Sequence, residues 1–383
     1  MPGPHDNQTP ASRRGHRRRR LLPVAVTITA VALVATSGAA LLDLTSRISV
    51  VDLGTRGAGP VIPDHEEGVD LVLVGSDGRL GQGTDDDVEG ARNDVTMLLH
   101  VTADHRSATV VSFPRDLLVD FPDCEGPSTG ETVPGESRRQ LNEALGIGGL
   151  GCVTRVVESL TGRSVPYAAQ TSFRGVVAIA DAVGGVPVCF SGPVDDPDSG
   201  LSIPDAGTYD IQGEQALQLL RSRHGVGDGS DIARIRSQQL YMTSLASTVH
   251  SRATLTDPVA AFRLAQVVLD NSVLSTELGD VAALASVGGA LADVPVEAIS
   301  FVTYPWLPDG NRLLPDEDGA QVLRLRLGDE ESGPSPRMTA PGRAETAPAD
   351  VDAEAEDEAD VDADADAQAT PGGDQDASCV VPF

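Results

Sequence analysis

Several signatures of common enzyme classes are missing from this sequence. It has no Walker-type phosphate loop, no Ser/His/Asp arrangement of a hydrolase and no nucleic-acid-binding motif. Its seven histidines show none of the helical pairing with which a metalloprotease holds zinc. No internal repeat occurs at solenoid periods. These absences argue against a P-loop NTPase, a triad hydrolase, a zinc protease and a nucleic-acid partner.

Cysteine is also scarce, with four residues in 383. Cys124, Cys152, Cys189 and Cys379 form no Cys-x-x-Cys pair and have no nearby histidine, so we expect disulfides in an oxidising compartment rather than a zinc site. Three pairings are open. We favour Cys124 with Cys152, because these two bracket one insertion, which leaves Cys189 to reach Cys379 and tie the tail back.

Positive charge is outweighed by negative charge. Lys and Arg number 28 against 57 Asp and Glu, giving a formal net charge of -29. Much of the excess lies in residues 328–383, where Ala, Asp, Glu and Pro alternate and predict a disordered acidic tail. The remaining chain is therefore less acidic than the total, and clustered arginines can still create a local positive potential.

The N-terminus has the opposite sign. Residues 1–20 contain six arginines, and residues 21–42 are uncharged and almost wholly apolar. Since about 20 apolar residues span a bilayer, we predict a transmembrane helix at 21–42 with a basic cytoplasmic segment before it and the rest of the chain outside the cell. A cleaved signal peptide is the alternative, although this stretch exceeds the roughly 7–15 residue core of a signal. Residues 43–68 indicate a linker.

Three strands are predicted to open the globular part, at residues 69–74, 95–101 and 108–113. A short turn joins the second to the third, so these two should form an antiparallel hairpin. If the first strand also pairs antiparallel, one rim of the sheet collects the polar residues Asp77, Arg79, Arg92, Asp94 and Arg115. Two carboxylates among guanidiniums suit Mg²⁺ holding a diphosphate. Asp77 is equally a common turn residue, and Asp94 a common strand-entry residue.

Helices and strands alternate through the remaining chain. This pattern predicts an α/β fold, a three-layer α/β/α sandwich with a mixed central sheet. Further helices are expected at residues 141–162 (broken by glycines at 146–151), 173–183, 213–220, 258–269, 277–292 and 318–327, and further strands at 186–190 and 298–304.

The densest group of cationic side chains lies in residues 221–239. Arg221 and Arg223 follow an apolar run, and in extended backbone both would point to the same face. The glycines of the following loop, residues 224–230, allow close approach of backbone to a ligand.

A helix is predicted after that loop, with Ser230 or Asp231 as its N-cap. Arg234 and Gln238 share one face near its positive end, because they are four residues apart. Planar donors beside a helix N-terminus suit a diphosphate. The alternative is a set of surface arginines paired with some of the many carboxylates.

Seven blocks of this sequence, in order, resemble the LytR-CpsA-Psr family, actinobacterial type. They are Gly75-Ser-Asp-Gly-Arg79, Arg92-Asn-Asp-Val-Thr-Met97, Phe113-Pro-Arg-Asp116, Leu141-Asn-Glu-Ala144, Asp181-Ala-Val-Gly-Gly-Val186, Gly213-Glu-Gln-Ala-Leu217 and the stretch 221–239. The resemblance implies a catalytic domain at residues 69–250 and a helical extension at 251–327. It further implies a membrane-anchored, Mg²⁺-dependent transferase that moves a polyprenyl-diphosphate-linked glycopolymer, arabinogalactan or teichoic-acid-like, with its phosphate onto peptidoglycan.

The resemblance also assigns site residues. Asp77 and Asp94 match the metal ligands. The diphosphate-binding set is Arg79, Arg92, Arg115, Arg221, Arg223, Arg234 and Gln238, and the catalytic set is Arg115, Arg221, Arg223 and Asp231. For Asp231 the helix N-cap remains an alternative. Many members carry a second arginine where this chain has Ser237, and Arg236, one step earlier, is turned about 100° away on a helix.

Two other functions stay open. A binding or regulatory module for lipid-linked wall precursors needs the arginines but not the two carboxylates, and a polyprenyl diphosphate hydrolase would use water as acceptor. For the lipid, we expect a tunnel between the sheet and the apolar helices at 153–160 and 173–183, opening at the rim with Asp94 and Arg115.

Overall fold

The computed structural model describes residues 42–54, 68–76, 92–126, 130–223, 225–251, 258–328 and 379–380. The chain divides into two units, residues 1–48 and residues 49–383. In the first, residues 42–47 are helical and Arg47 Nε lies 3.0 Å from Asp43 Oδ2. Within the described ranges, no helix is long and apolar enough to cross a bilayer. The predicted span at 21–42, except Leu42, and the acidic tail after residue 328, except Cys379 and Val380, lie outside these ranges.

A seven-stranded mixed sheet forms the centre of the second unit. With strands numbered along the chain, its spatial order is β1 (Ser49–Val51), β14 (Ser272–Ser275), β9 (Tyr167–Ser172), β2 (Val69–Ser76), β3 (Asn93–Val101), β4 (Ala108–Phe113) and β15 (Ile299–Thr303). Strand β3 is antiparallel to β2 and β4, and β9 is antiparallel to β14. The pairs β1–β14, β2–β9 and β4–β15 are parallel. The α/β fold with a mixed central sheet is thus confirmed.

The remaining elements lie outside this sheet. The helices are α1 (Ala144–Thr161), α2 (Phe173–Ala182), α3 (Gly213–Arg221), α4 (Asp231–Ser251), α5 (Pro258–Asp270), α6 (Val281–Asp293) and α7 (Glu317–Gly328). Short antiparallel pairs are β5 (Leu118–Val119) with β8 (Arg139–Gln140), β6 (Cys124–Glu125) with β7 (Thr132–Val133), β10 (Val186–Phe190) with β13 (Gly207–Ile211), β11 (Val194–Asp196) with β12 (Leu201–Ile203), and β16 (Trp306–Asp309) with β17 (Arg312–Pro315).

One face of the sheet is covered by α1 and α7. Alternate strand residues point to this side because successive side chains in a strand face opposite ways. They pack with the apolar stripes of the two helices in one core that includes Val72, Val74, Leu98, Val111, Val153, Val156, Val157, Val302 and Leu323. The expected glycine break in α1 is present, since Gly148 and Gly149 have non-helical backbone angles.

Helix α4 lies on the opposite face. Gln239 Nε2 donates to Ser112 Oγ at 3.2 Å and to Thr303 Oγ1 at 3.4 Å, and these two residues alternate along their strands with Val111 and Val302 of the first core. A second core joins α2, α3 and α4 to the β10–β13 and β11–β12 strand pairs. Helix α2 also packs against α5.

The expected domain limits at residues 69 and 250 are too narrow. Strand β1 lies in the predicted linker, and β14 and β15 lie in the predicted helical extension, yet all three belong to the central sheet. The four residues of β14 were missed because they directly follow α5. Helix α6 starts four residues later than predicted, since Asp280 Oδ1 caps it by accepting from Ala282 N and Ala283 N at 2.8 and 3.2 Å.

The predicted position of the lipid tunnel, between the sheet and the helices at 153–160 and 173–183, is also wrong. Helix α1 belongs to the closed core on one face, whereas α2 packs with α3 and α5 on the face that carries α4. The two helices therefore cannot share one tunnel wall. The apolar residues of α2 at 176–179 and of α5 at 260–262 are all half-buried, so the apolar surface along these two helices is incompletely covered.

Both expected disulfides are present. Cys124 pairs with Cys152 (Cα–Cα 5.3 Å), and Cys189 pairs with Cys379 (Cα–Cα 4.7 Å). The second bridge holds Val380 beside β10, where its amide donates to the carbonyl oxygen of Cys189 at 2.9 Å. Residues 379–380 are thereby attached to the core on the α4 face.

Candidate functional site

The strand ends form the rim that the sequence predicts. Ser76, at the end of β2, pairs with Asn93 at the start of β3, and Thr96 of β3 pairs with Phe113 at the end of β4. Asp94 on β3 and Arg115 just after β4 therefore meet. Arg115 Nη1 donates to Asp94 Oδ1 at 2.6 Å.

The N-terminus of α4 lies over this rim. Ser230 caps the helix, because its Oγ accepts from the amide of Ala233 at 3.1 Å. Asp231, one residue later, is thus not the N-cap, and the structural alternative considered for it is wrong. Its carboxylate instead faces two arginines.

One carboxylate oxygen serves both guanidiniums. Asp231 Oδ1 lies 2.5 Å from Arg234 Nη2 and 3.4 Å from Arg115 Nε. Arg234 Nη2 also donates to the carbonyl oxygen of Asp94 at 3.4 Å, which ties α4 to β3. These four residues and Gln238 line one small pocket, together with Val95, Thr96, Met97, Ser112, Phe113 and Ile235.

Burial dominates the electrostatics of this pocket. Burial raises the pKa of the Asp231 carboxyl above its ordinary value, against the opposing effect of Arg234 and Arg115. Burial likewise lowers the pKa of the Arg234 guanidinium, against the effect of Asp231. Burial therefore disfavours the charged form of both groups, and only close oppositely charged partners can offset this effect.

Two buried donors in the pocket make no hydrogen bond to the described residues. They are Nε of Arg115 and Nε of Arg234. The contact of Arg115 Nε with Asp231 is close enough for an ion pair but is not aligned as a hydrogen bond. Buried donors of this kind are uncommon and are expected to meet an acceptor. The oxygens of a bound phosphate group are acceptors that match a guanidinium.

Of the other predicted arginines, the three that the structure describes are not part of the pocket lining. Arg223 is half-buried and lies close enough to Asp231 for its charge to lower the pKa of that carboxyl. Arg221 is exposed and is the last residue of α3, so the expected extended run from Arg221 to Arg223 is wrong. A basic residue is favoured there because the helix dipole is negative at its C-terminus. Arg92 is exposed just before β3. Asp77 and Arg79 lie outside the described residues.

Gln238 lines the pocket, but its amide has a partner in the protein. Its Nε2 donates to the carbonyl oxygen of Leu220 at 3.0 Å and so holds the end of α3 against α4. Arg236 is exposed, as its helical position predicts, and Ser237 is buried with its hydroxyl on the Ala233 carbonyl.

Asn93 and Asp116 support the site, although the sequence analysis assigned them no role. Asn93 is fully buried, and its side chain joins the start of β3 to residues 141–145 through Leu141 O at 3.1 Å and Leu145 N at 3.2 Å. It thereby fixes the backbone that carries Asp94. Asp116 Oδ2 lies 3.6 Å from Arg115 Nε. The only sign of these roles in the sequence is that Asn93 and Asp116 are the chain neighbours of Asp94 and Arg115.

The metal prediction can be tested against the donors present. Among the described residues, no group of three or more His, Cys, Asp or Glu side chains could hold a metal. Asp94 is the described member of the predicted pair, and its Oδ1 is hydrogen-bonded to Arg115. Because Mg²⁺ often takes one or two carboxylates and completes its shell with phosphate oxygens and water, Asp94 fits as a single ligand.

Comparison with known proteins identifies the family. Residues 46–323 match the model of the LytR_cpsA_psr family. The chain belongs to the LytR-CpsA-Psr family. The match begins before β1 and ends within α7, so it includes every strand of the central sheet.

Two curated relatives illustrate the range of this family. Over 266 residues the chain is 33% identical to the cell wall biosynthesis protein LcpA of Corynebacterium glutamicum, covering 62% of this chain and 49% of LcpA. It thus spans about half the length of that relative. Over 245 residues it is 24% identical to the polyisoprenyl-teichoic acid–peptidoglycan teichoic acid transferase TagT of Bacillus subtilis, covering 63% of this chain and 69% of TagT.

A solved structure has the same fold. The LytR-Csp2A-Psr enzyme from Actinomyces oris superposes with a TM-score of 0.56 at 22% identity, covering 74% of this chain and 96% of that one. At this level of identity the likeness concerns the fold alone.

Proposed function

We propose that this LytR-CpsA-Psr protein is a phosphotransferase that moves a polyprenyl-diphosphate-linked glycopolymer, with its phosphate, onto peptidoglycan outside the cell. The observation that carries the proposal is the pair of buried guanidinium Nε donors, on Arg115 and Arg234, that face one pocket without a hydrogen bond to the described residues. A diphosphate supplies acceptors for both. The relative TagT is named as a polyisoprenyl-teichoic acid–peptidoglycan teichoic acid transferase, which agrees with this substrate class.

The proposed chemistry is phosphoryl transfer. An acceptor hydroxyl of peptidoglycan attacks the phosphorus next to the glycan, the bond from that phosphorus to the bridging oxygen breaks, and polyprenyl phosphate leaves. Charge neutralisation and positioning dominate such reactions, so fixed guanidiniums contribute much of the catalysis. Arg115 and Arg234 would bind the diphosphate oxygens, and Arg223 would add a further positive charge at the pocket edge.

Asp231 is the residue we assign to take the proton from the attacking hydroxyl. Neither oxygen of its carboxylate has a hydrogen-bond partner within the described residues, and burial raises its pKa, which makes its carboxylate a better base than an ordinary aspartate. Asp94, with Asp77, would hold Mg²⁺. When bound, this ion would neutralise phosphate charge.

The compartment follows from the same proposal. Peptidoglycan lies outside the membrane, and the two disulfides are typical of proteins exported to an oxidising compartment. We propose that residues 21–42 anchor the chain in the membrane, with residues 1–20 in the cytoplasm.

The test is a transfer reaction with the full chain, a short-chain polyprenyl diphosphate sugar, Mg²⁺ and purified peptidoglycan. We expect polyprenyl phosphate to be released and sugar phosphate to become attached to peptidoglycan, with both products lost in EDTA. Release of polyprenyl phosphate at the same rate without peptidoglycan would instead establish a hydrolase. Tight binding without any release would establish a binding module.

A further inference from the structure

Asp196 is a buried carboxylate outside the pocket. It is the last residue of β11, where it pairs with Leu201 of β12, and its exposed fraction is 1%. A buried carboxylate requires compensating partners, because removing its charge from water is costly. Those partners show what Asp196 does.

Five donors converge on its two oxygens. Oδ2 accepts from Ser222 Oγ at 2.6 Å and from the amides of Arg223 at 3.0 Å and Gly225 at 3.2 Å. Oδ1 accepts from the amides of Asp198 at 3.0 Å and Ser199 at 3.2 Å. One carboxylate therefore joins the β11–β12 turn to the segment that leaves α3 and carries Arg223.

Only an ionised carboxylate satisfies this arrangement. Burial raises the pKa of Asp196, but the hydrogen bonds from Ser222 and the amides outweigh it and hold the pKa at about 2. An asparagine has one acceptor oxygen, and its NH₂ group would face amide donors whichever way the side chain is turned. In either orientation of asparagine, at least two of the five donors would therefore face the NH₂ group instead of an acceptor.

The segment itself is closely packed on this carboxylate. A Cβ atom added to Gly225 would lie 2.7 Å from the Cβ of Asp196, and Val226 is buried in the same core as Val194. Arg223 itself supplies one of the two amides of this segment that donate to Asp196, and Gly225 supplies the other. Its charge reaches Asp231 and Arg234 in the pocket.

We propose that Asp196 is a positioning residue, which fixes Ser222 and the amides of Arg223 and Gly225 so that Arg223 presents its guanidinium to a diphosphate at the pocket edge. This inference rests on the proposed function, because the diphosphate is the ligand assigned there. Asp196 acts through Arg223 and does not contact the ligand.

The first measurement needs no ligand. Hydrogen exchange of the full-length chain should show faster exchange at residues 222–226 in Asp196→Asn than in wild type. The matched control is Asp195→Asn, since Asp195 is the exposed neighbour on the same strand and its exchange pattern should stay that of wild type. Unchanged exchange at residues 222–226 in Asp196→Asn would overturn the positioning role whatever the protein binds.

The second measurement is affinity for a C20 prenyl diphosphate by calorimetry. We expect Asp196→Asn to weaken binding about tenfold, the effect of losing charge-assisted hydrogen bonds that hold a binding group. In an Arg223→Ala background the same substitution should change affinity less than about twofold, because residues acting through one another are not additive. Equal losses in both backgrounds would show that Asp196 is only structural.

Two outcomes keep the hypotheses separate. If wild type binds no prenyl diphosphate, the proposed function fails, and the exchange measurement still decides whether Asp196 holds the segment. If Asp196→Asn does not fold, Ser222→Ala removes one donor to Oδ2 while the carboxylate and both amides remain. Ser222→Ala should then weaken binding a few-fold in the presence of Arg223 and have no effect in its absence, and additivity would overturn the proposal.

Discussion

Asp231 Oδ1 lies 2.5 Å from Nη2 of Arg234, and both residues are in the first turn of α4. The same oxygen also faces Arg115 of the rim, 3.4 Å away. The carboxylate therefore holds two guanidiniums from different elements in place without neutralising both of them. Together with Asp94 the four formal charges cancel, and the positive charge of Arg223 is balanced by the negative charge of Asp116, whose Oδ2 lies 3.6 Å from Arg115 Nε. Such a site favours a dianion that arrives with a divalent cation.

The first prediction concerns Asp94. Asp94→Ala should lower magnesium-dependent release of polyprenyl phosphate by about 10²-fold, because it removes the carboxylate that we propose as a magnesium ligand. Asp94→Asn keeps an acceptor for Arg115 but is a poor ligand for Mg²⁺, so it should lose nearly as much activity while the circular dichroism spectrum stays that of wild type.

The control for this prediction is Asp309→Ala. It removes a comparable but exposed ion pair, in which Arg138 Nη2 lies 2.9 Å from Asp309 Oδ2, and should leave the rate unchanged. Full activity of Asp94→Asn across the magnesium titration would show that Asp94 serves Arg115 and not a metal.

The second prediction concerns Arg234. All 28 basic residues of the chain are arginine, and a lysine at position 234 would keep the charge while losing the planar fork that contacts Asp231, Asp94 and a phosphate. Arg234→Lys should lower kcat/KM by about 30- to 100-fold, equivalent to about 2–3 kcal/mol for a charge-assisted pair. Arg236→Lys, on the exposed side of the same helix, should match wild type in kcat/KM.

Exposed Arg221 gives a graded comparison. Because it lies at the end of α3 outside the pocket lining, Arg221→Lys should lower kcat/KM less than Arg234→Lys does. The opposite order would mean that the diphosphate is bound at the end of α3 rather than over the rim.

The rim was predictable from sequence because hairpin geometry depends on local signals. A short turn between two apolar runs determines that β3 and β4 are antiparallel, and this alone brings Asp94 to Arg115. Helix α4 was recognisable from its cap and its apolar period. The sequence could not show which charged side chains pair with one another, because the Asp231–Arg115 contact joins residues far apart in the chain.

The missed elements are those whose signals are weak or non-local. Strand β14 has four residues, and β1 has three, so neither shows a convincing period. The opposite faces of α1 and α2 follow from crossover connections and not from either helix's own pattern. Asp196 stands in the run Asp195-Asp-Pro-Asp198, which is typical of a turn, and only the fold shows that its carboxylate reaches Ser222.

The third prediction concerns stability in acid. The pKa of Asp196 falls from 3.8 to about 2 on folding. A carboxyl with a lowered folded-state pKa stabilises the native state above its unfolded pKa, and this stabilisation is lost as pH falls from about 4 towards 2. The contribution is about 2 kcal/mol. Urea unfolding at a series of pH values should therefore show a smaller loss between pH 4 and pH 2 in Asp196→Asn than in wild type, with Asp195→Asn as control. Identical slopes in all three proteins would contradict the lowered pKa.

The last prediction concerns the lipid. We expect the half-buried apolar surface of α2 and α5 to bind the prenyl chain. Since each buried methylene contributes about 0.8 kcal/mol at most, affinity for prenyl diphosphates should rise steeply with chain length until this surface is filled. Val177→Asp places a charge on half-buried α2 and should abolish that dependence while affinity for the headgroup persists. Ala182→Asp, at the exposed end of the same helix, is the matched control and should keep the dependence. Circular dichroism must show that both variants are folded. Affinity that stays flat across chain lengths in wild type would mean that the protein holds its substrate by the diphosphate alone.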